Sequence, residues 1–399
     1  MMICVRGERL RHYFRIQRDI WFSLSFSTLD IFAGTISALF LMLLVENTPW
    51  ILSIYPILLS VRGAGNGIFT GVLTTSLHIG TIEPRIRGNT HHYYALVSAI
   101  FVISTINSSI ATIIVGIYFG KGFIMLIIFY VMVLSMILTV SFSIITTSLV
   151  SFLAFKHGLD PDSVVYPIMA TLNDVMLSVF LLISILVIQP WNFLNAMMAG
   201  STISLFILFT VLRVGSKYFQ NEFFRKTIKE GMIGIIYVIA ISSISGIILS
   251  LSYKSLHQNI HYVIILPSLM TMSGSVGSIL MSKFTTKLNI GEIDLHSPIS
   301  VFNFLGFSFL VIIPPFTTLL LVSATFTEIL APIGLTSFLR FATRAILIGY
   351  LTMLIAIPLI LLISFETFKY GLNPDNFSIP IVTSTADFLT ILLIYLSLT

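Results

Sequence analysis

The sequence predicts an all-α polytopic membrane protein: two parallel five-helix repeats joined by one extra linker transmembrane helix, about eleven spans in all. Three observations carry this. Of 399 residues, 56% are hydrophobic and only 9% are charged, where a soluble domain is about a quarter charged. Residues 122–155 run for 34 positions without a charge, and about 20 apolar residues already cross a bilayer. Two stretches of the first half recur in the second, so the chain reads as a duplication.

The spans fall at 29–46, 50–79, 93–119, 122–155, 164–188, 192–212, 231–252, 261–290, 299–325, 340–365 and 377–398. With the N-terminus in the cytoplasm and one crossing per span, 16 of the 21 basic residues lie inside. Lys121, Lys254, Arg340 and Arg344 lie outside, and Arg62 falls within a span. That bias satisfies the positive-inside rule. It predicts a multi-pass protein of the cell membrane with a cytoplasmic N-terminus. No cleavable leader is expected, because no small-residue site follows a short apolar core. Cys4 is the sole cysteine, so no intramolecular disulfide can form. The net charge of +5 reports topology rather than nucleic-acid binding.

Residues 56–83, PILLSVRGAGNGIFTGVLTTSLHIGTIE, align without gaps to 267–294, PSLMTMSGSVGSILMSKFTTKLNIGEID, with 10 of 28 identical. Residues 156–174, KHGLDPDSVVYPIMATLND, align to 369–387, KYGLNPDNFSIPIVTSTAD, with 8 of 19 identical. The offsets are 211 and 213, so both pairs belong to one duplication. Five spans per half is an odd number, and a direct fusion would invert the second half. The span at 192–212 restores the orientation. The units are then a basic cytoplasmic segment 1–28, a first membrane repeat 29–190, a linker 191–230 and a second repeat 231–399. The linker combines a transmembrane helix with an amphipathic cytoplasmic segment, RVGSKYFQNEFFRKTIKE, of the kind that lies on a membrane surface. Parallel repeats are related by an axis along the membrane normal. A path on that axis would receive matching residues from both sides, and the pseudo-dimer is expected to be a monomer.

Asp174 and Asp387 lie deepest among the acidic residues, at matching places in the fifth span of each half. A charge at mid-bilayer costs at least about 2.5–3.5 kcal/mol. Two aspartates at matched positions therefore point to a cation ligand or proton carrier on the shared axis. The alternative is a protonated or hydrogen-bonded aspartate between helices. Pro167 and Pro380 precede them by seven residues, and a helix proline frees a backbone carbonyl that lipid cannot satisfy. The second spans carry Pro56 and Pro267, then the small-residue runs GAGNG and SGSVGS. These let backbones pack closely or expose backbone oxygen to a path. Thr74-Thr75 and Thr285-Thr286 add hydroxyls or bond back to their own helices. Carboxylates with carbonyl and hydroxyl oxygens suit hard divalent cations, and Mg²⁺ keeps its waters in such a site. No thiolate or imidazole cluster favours a softer metal. Arg62 opposes a cation path. It pairs with an acid, snorkels, or tunes conduction, and repeat two has Ser273 in its place.

Other patterns carry less. GAGNG lies inside an apolar span without the strand–helix unit of a dinucleotide loop. His257 and His261 have an i,i+4 spacing but no third ligand. No G-x-S-x-G elbow occurs, and no enzymatic activity or cofactor is expected.

At TTSLHIG, TTKLNIG, DPDSVVYPIMATLND and NPDNFSIPIVTSTAD the chain resembles the MgtE-type magnesium and divalent cation transporters, in the duplicated form seen in solute carrier family 41. The resemblance covers nearly all of 29–399. It implies a five-span unit whose second and fifth helices line a central pore. It implies Mg²⁺ as the transported ion and carries a pore-aspartate role onto Asp174 and Asp387. Read from the residues themselves, Gly63, Asn66, Gly274, Thr75 and Thr286 are further candidate ion-site residues. Where the family often has Gly-Asn early in the second span, this chain has Gly63-Ala64 and Gly274-Ser275. The rival reading is a sodium- or proton-coupled carrier of another solute, with the aspartates as its coupling site.

Overall fold

The computed structural model describes residues 36, 50–119, 123–157, 161–188, 192–209, 212, 216–290, 298–369 and 374–398. The predicted span 29–46 (Ile36 apart), the basic segment 1–28 and Asp30 lie outside the described residues. Ten long helices follow in order: α1 Ile51–Ile79, α2 His91–Phe119, α3 Phe123–Lys156, α4 Pro161–Val187, α5 Phe193–Phe209, α6 Glu222–Leu251, α7 Ile260–Ile290, α8 Pro298–Leu330, α9 Leu335–Lys369 and α10 Pro374–Leu398. Single turns of helix at Ser216–Tyr218 and Tyr253–Gln258 precede and follow α6. No strand occurs among the described residues. The all-α class is thus observed.

Helix is the only open-chain structure that satisfies its own backbone in lipid. The many serines and threonines fit this rule. Thr74, Thr105, Ser108, Thr139 and Ser148 each donate to the carbonyl four residues back, at 2.7–3.0 Å. Nine of the described helices are long and apolar enough to cross a membrane. The exception among the ten is α5, with 17 residues, about 26 Å at 1.5 Å per residue against a hydrocarbon core of about 30 Å. It packs on α3 through Ala196, Gly200 and Ile203.

In the charged segment before the second half, residues 222–230 are the first turns of α6. Asn221 caps α6, its Oδ1 accepting from the amides of Phe223 at 2.9 Å and Phe224 at 3.4 Å. From there α6 runs unbroken for 30 residues to Leu251. A capped first turn with Glu222 at its positive end stabilises this start.

The helix ends sort into two faces. The turn before α6 meets the start of α2: His91 contacts Tyr218 and His92 stacks on Phe223, with ring centroids 5.0 and 3.6 Å apart. The α1–α2 loop lies at the same end. It starts at Gly80, whose φ of 80° is a left-handed cap that glycine adopts without strain. Asn89 closes that loop by donating to the carbonyl of Glu83 at 2.8 Å. At the other end, His261 at the start of α7 is bonded to the Ala331 carbonyl between α8 and α9, at 2.8 Å. Gly246 near the end of α6 lies against Ser53 near the start of α1, so α1 and α6 run antiparallel.

Two helices position the centre. α1 packs against α2, α3, α4, α6 and α10. α10 packs against α1, α6, α7 and α9. The second helix of the first half therefore touches the last helix of the second. Close approach at the α1–α6 seam depends on Gly246. A Cβ there would fall on the Ser53 carbonyl oxygen and 2.9 Å from its carbonyl carbon.

Candidate ion site

Arg62 and Asp174 form an ion pair between α1 and α4. Both are buried, at 7% and 6% exposure, so water screens the pair poorly. A second guanidinium nitrogen, Nη1, donates to the Ala170 carbonyl at 3.4 Å. The third, Nε, is buried and makes no hydrogen bond among the described residues. The arginine is thus held along one edge and incompletely satisfied.

Asp387 comes to the same place from α10. Its carboxylate, half-buried, lies within charge–charge range of both Asp174 and Arg62. The Ser60 side chain of α1 faces it without closing a full hydrogen bond. Asp387 makes no ion pair with a described residue. With both carboxylates ionised, the two aspartates and the guanidinium would sum to −1. Asp174, Asp387 and Arg62 thus form one electrostatic cluster.

The remaining candidates divide. Asn66 lies one turn beyond Arg62 on α1. Its Oδ1 accepts from Ser143 at 2.9 Å and Thr147 at 3.2 Å, both on α3. Asn173, next to Asp174, donates from Nδ2 to Ser143 at 2.9 Å, and its Oδ1 is buried without a hydrogen bond. Gly63 follows Arg62, and a Cβ there would meet nothing within 4 Å. Its counterpart Gly274 is filled: a Cβ would lie 3.5 Å from Thr383 Cγ2 on α10. Thr75 is exposed and about 20 Å along α1 from Arg62 by helical rise. Thr74 spends its hydroxyl on its own helix. The side chain of Thr286 lies outside the described residues, as does that of Pro167. Pro380 is an interior residue of the continuous helix α10.

Sequence reasoning missed Ser60, Asn173, Ser143 and Thr147. A signal existed for the last two, since they are hydroxyls at i,i+4 on one face of the charge-free α3. Asn107 of α2 gave none. It is fully buried with neither amide atom hydrogen-bonded among the described residues. No group of three or more His, Cys, Asp or Glu side chains is placed to hold a metal among the described residues. An ion here would meet two carboxylates and its own water.

Nine described helices long and apolar enough to cross a membrane fit the class of multi-pass membrane proteins. The chain belongs to the MgtE family of divalent cation transporters. Its family profile matches residues 55–185 and again 266–397, more than half of the chain and once in each half. Neither a curated protein nor a solved structure matches the chain.

Proposed function

We propose that the protein carries Mg²⁺ across the cell membrane through a path between two parallel five-span repeats, with Asp174 and Asp387 as the ion site. One observation carries this reading: carboxylates from the two matched regions, α4 and α10, converge at one buried cluster. Burying two like charges together is unfavourable unless cations balance them, and Arg62 pairs with Asp174 alone among the described residues. Mg²⁺ fits because it gives up water reluctantly and needs few protein ligands. The architecture proposed is eleven spans, with 29–46 as the first helix of repeat one and α5 as the linker span. The N-terminus is cytoplasmic, and the pseudo-two-fold axis passes between α1 and α10. The ring contacts at His91 and His92 support one sidedness for the α1–α2 loop and the linker.

The test is Mg²⁺ uptake into liposomes holding purified protein. Wild type is expected to carry Mg²⁺, and Asp174→Ala/Asp387→Ala to fall to the protein-free background while remaining monodisperse. Equal flux in both removes the aspartates from the path. Flux that follows a sodium or proton gradient and ignores Mg²⁺ turns the reading to a coupled carrier.

A further inference from the structure

The cluster contains a cation of its own, and the transport reading above does not use it. We propose that Arg62 is a tethered counter-ion. It occupies Asp174 when no metal is bound, and a divalent cation must displace it to bridge Asp174 and Asp387. Arg62 would then set the apparent affinity of the site. This rests on the reading of the two aspartates as the ion site.

Four observations point this way. First, Arg62 pairs with Asp174 and stands in charge range of Asp387, so it competes for the same carboxylates as the ion. With the guanidinium in place, a bridging divalent ion would leave the cluster at +1. With it withdrawn, the cluster is neutral. Second, Arg62 is poorly anchored. Its Nε lacks a partner among the described residues, and the bond to the Ala170 carbonyl is long at 3.4 Å. A purely structural buried arginine is expected to have its five donors satisfied. Third, the helix surface next to Arg62 is not closely packed. A Cβ on Gly63 would meet nothing within 4 Å. Fourth, the second half does without it. Ser273 takes the matching place on α7, fully buried, its hydroxyl without a hydrogen bond among the described residues. The fold therefore does not require an arginine at this position of the repeat.

The experiment titrates Mg²⁺ into purified full-length protein at fixed ionic strength. It reads heat of binding and the thermal unfolding midpoint for wild type, Arg62→Ser, Arg62→Gln and Arg62→Lys. Arg62→Gln fills most of the arginine's volume without its charge, in case serine leaves too large a void. Couplings between sites commonly shift affinity about 5–150-fold, and we expect Arg62→Ser and Arg62→Gln to bind Mg²⁺ at least about tenfold more tightly. Arg62→Lys should stay near wild type. Adding Asp387→Ala to Arg62→Ser should abolish the gain.

Equal affinity in wild type, serine and glutamine variants overturns this inference and leaves the two-aspartate site standing. Weaker binding in the neutral variants, restored by lysine, also overturns it, because the arginine would then build the site. A gain that survives Asp387→Ala overturns it as well, since the ion would not bridge. No Mg²⁺ response in wild type or any variant removes the ion-site reading itself, and this inference with it.

Discussion

The two halves solve the same helix pairing differently. In the first, α1 and α4 are held by polar contacts: the Arg62–Asp174 pair, and the Asn66–Ser143–Asn173 chain that brings in α3. In the second, α7 and α10 pack directly, with Gly274 against Thr383. The cleft among α7, α8 and α9 is lined by Val276, Ile312, Ile313, Phe316, Tyr350, Met353 and Ile357. The matching positions explain the contrast. Arg62, Asn66 and Asn173 correspond to Ser273, Gly277 and Ala386. Duplication preserved the carboxylate in both halves, and the polar groups around it differ. The lesson is that symmetry in sequence marks the site, and departures from symmetry mark how it is tuned.

The sharpest way to break this comparison is to remove one aspartate at a time. Asp174→Ala leaves a buried arginine without its partner. Removing one member of a buried pair costs about 3–5 kcal/mol, so this variant should unfold far more readily. Asp387→Ala removes a carboxylate that makes no ion pair with a described residue, and it relieves repulsion with Asp174. Its stability should be unchanged or higher. Thermal unfolding in detergent without Mg²⁺ distinguishes the two, and an equal loss in both would show that the halves are not electrostatically distinct.

Next in size is the seam between the halves. Gly246→Ala places a methyl on the Ser53 backbone, which cannot swing aside as a side chain can. Overpacking costs about 1–3 kcal/mol, and the upper end applies here because backbone must move. The expected outcome is a clear drop in the unfolding midpoint with secondary structure retained by circular dichroism. No drop would mean that α6 does not dock on α1 at this crossing.

Asn66→Ala comes third. It strips the acceptor shared by Ser143 and Thr147 and leaves two buried hydroxyls to find others. Leaving a buried polar group unsatisfied costs about 1–3 kcal/mol, so a loss of about 2 kcal/mol is expected in a denaturant titration. The converse change, Gly277→Asn, puts an amide at a buried position of the second half and should also destabilise. Stabilisation by Gly277→Asn would contradict the polar–apolar contrast.

Much of this was legible from the chain. The ten long helices lie where the second to eleventh spans were predicted, because charge-free runs of that length admit little else. The electrostatic interaction of Asp387 with Asp174 is in keeping with the matched positions that the duplication gave them. The partner of Arg62 was not, since pairing depends on which face of α4 turns toward α1, and periodicity is weak in helices that are apolar all round. Ser60 beside Asp387 required the α1–α10 contact across the halves, which no local pattern encodes. Helix α6 begins at Glu222, earlier than the apolar span predicted from 231, because the basic residues after Asn221 mask its first turns in a hydropathy pattern. Asn221 caps that start, its side chain accepting from the amides of Phe223 and Phe224.

The smallest effect separates the paired glycines. Valine at either position removes part of the entropy cost of a helical glycine, which against alanine is about 0.5–1 kcal/mol. At Gly63 its Cβ meets nothing within 4 Å, so Gly63→Val should be as stable as wild type or slightly more so. At Gly274 the Cβ already lies 3.5 Å from Thr383 Cγ2 and 3.7 Å from its Cβ. The valine methyls must press further into α10, and a net cost of about 1 kcal/mol is expected from overpacking. Parallel unfolding curves of the two variants make the measurement. A cost at Gly63 as large as that at Gly274 would mean that the helix surface beside Arg62 is closely packed in the folded protein. A fixed arginine would then leave Asp387 as the only carboxylate open to the ion.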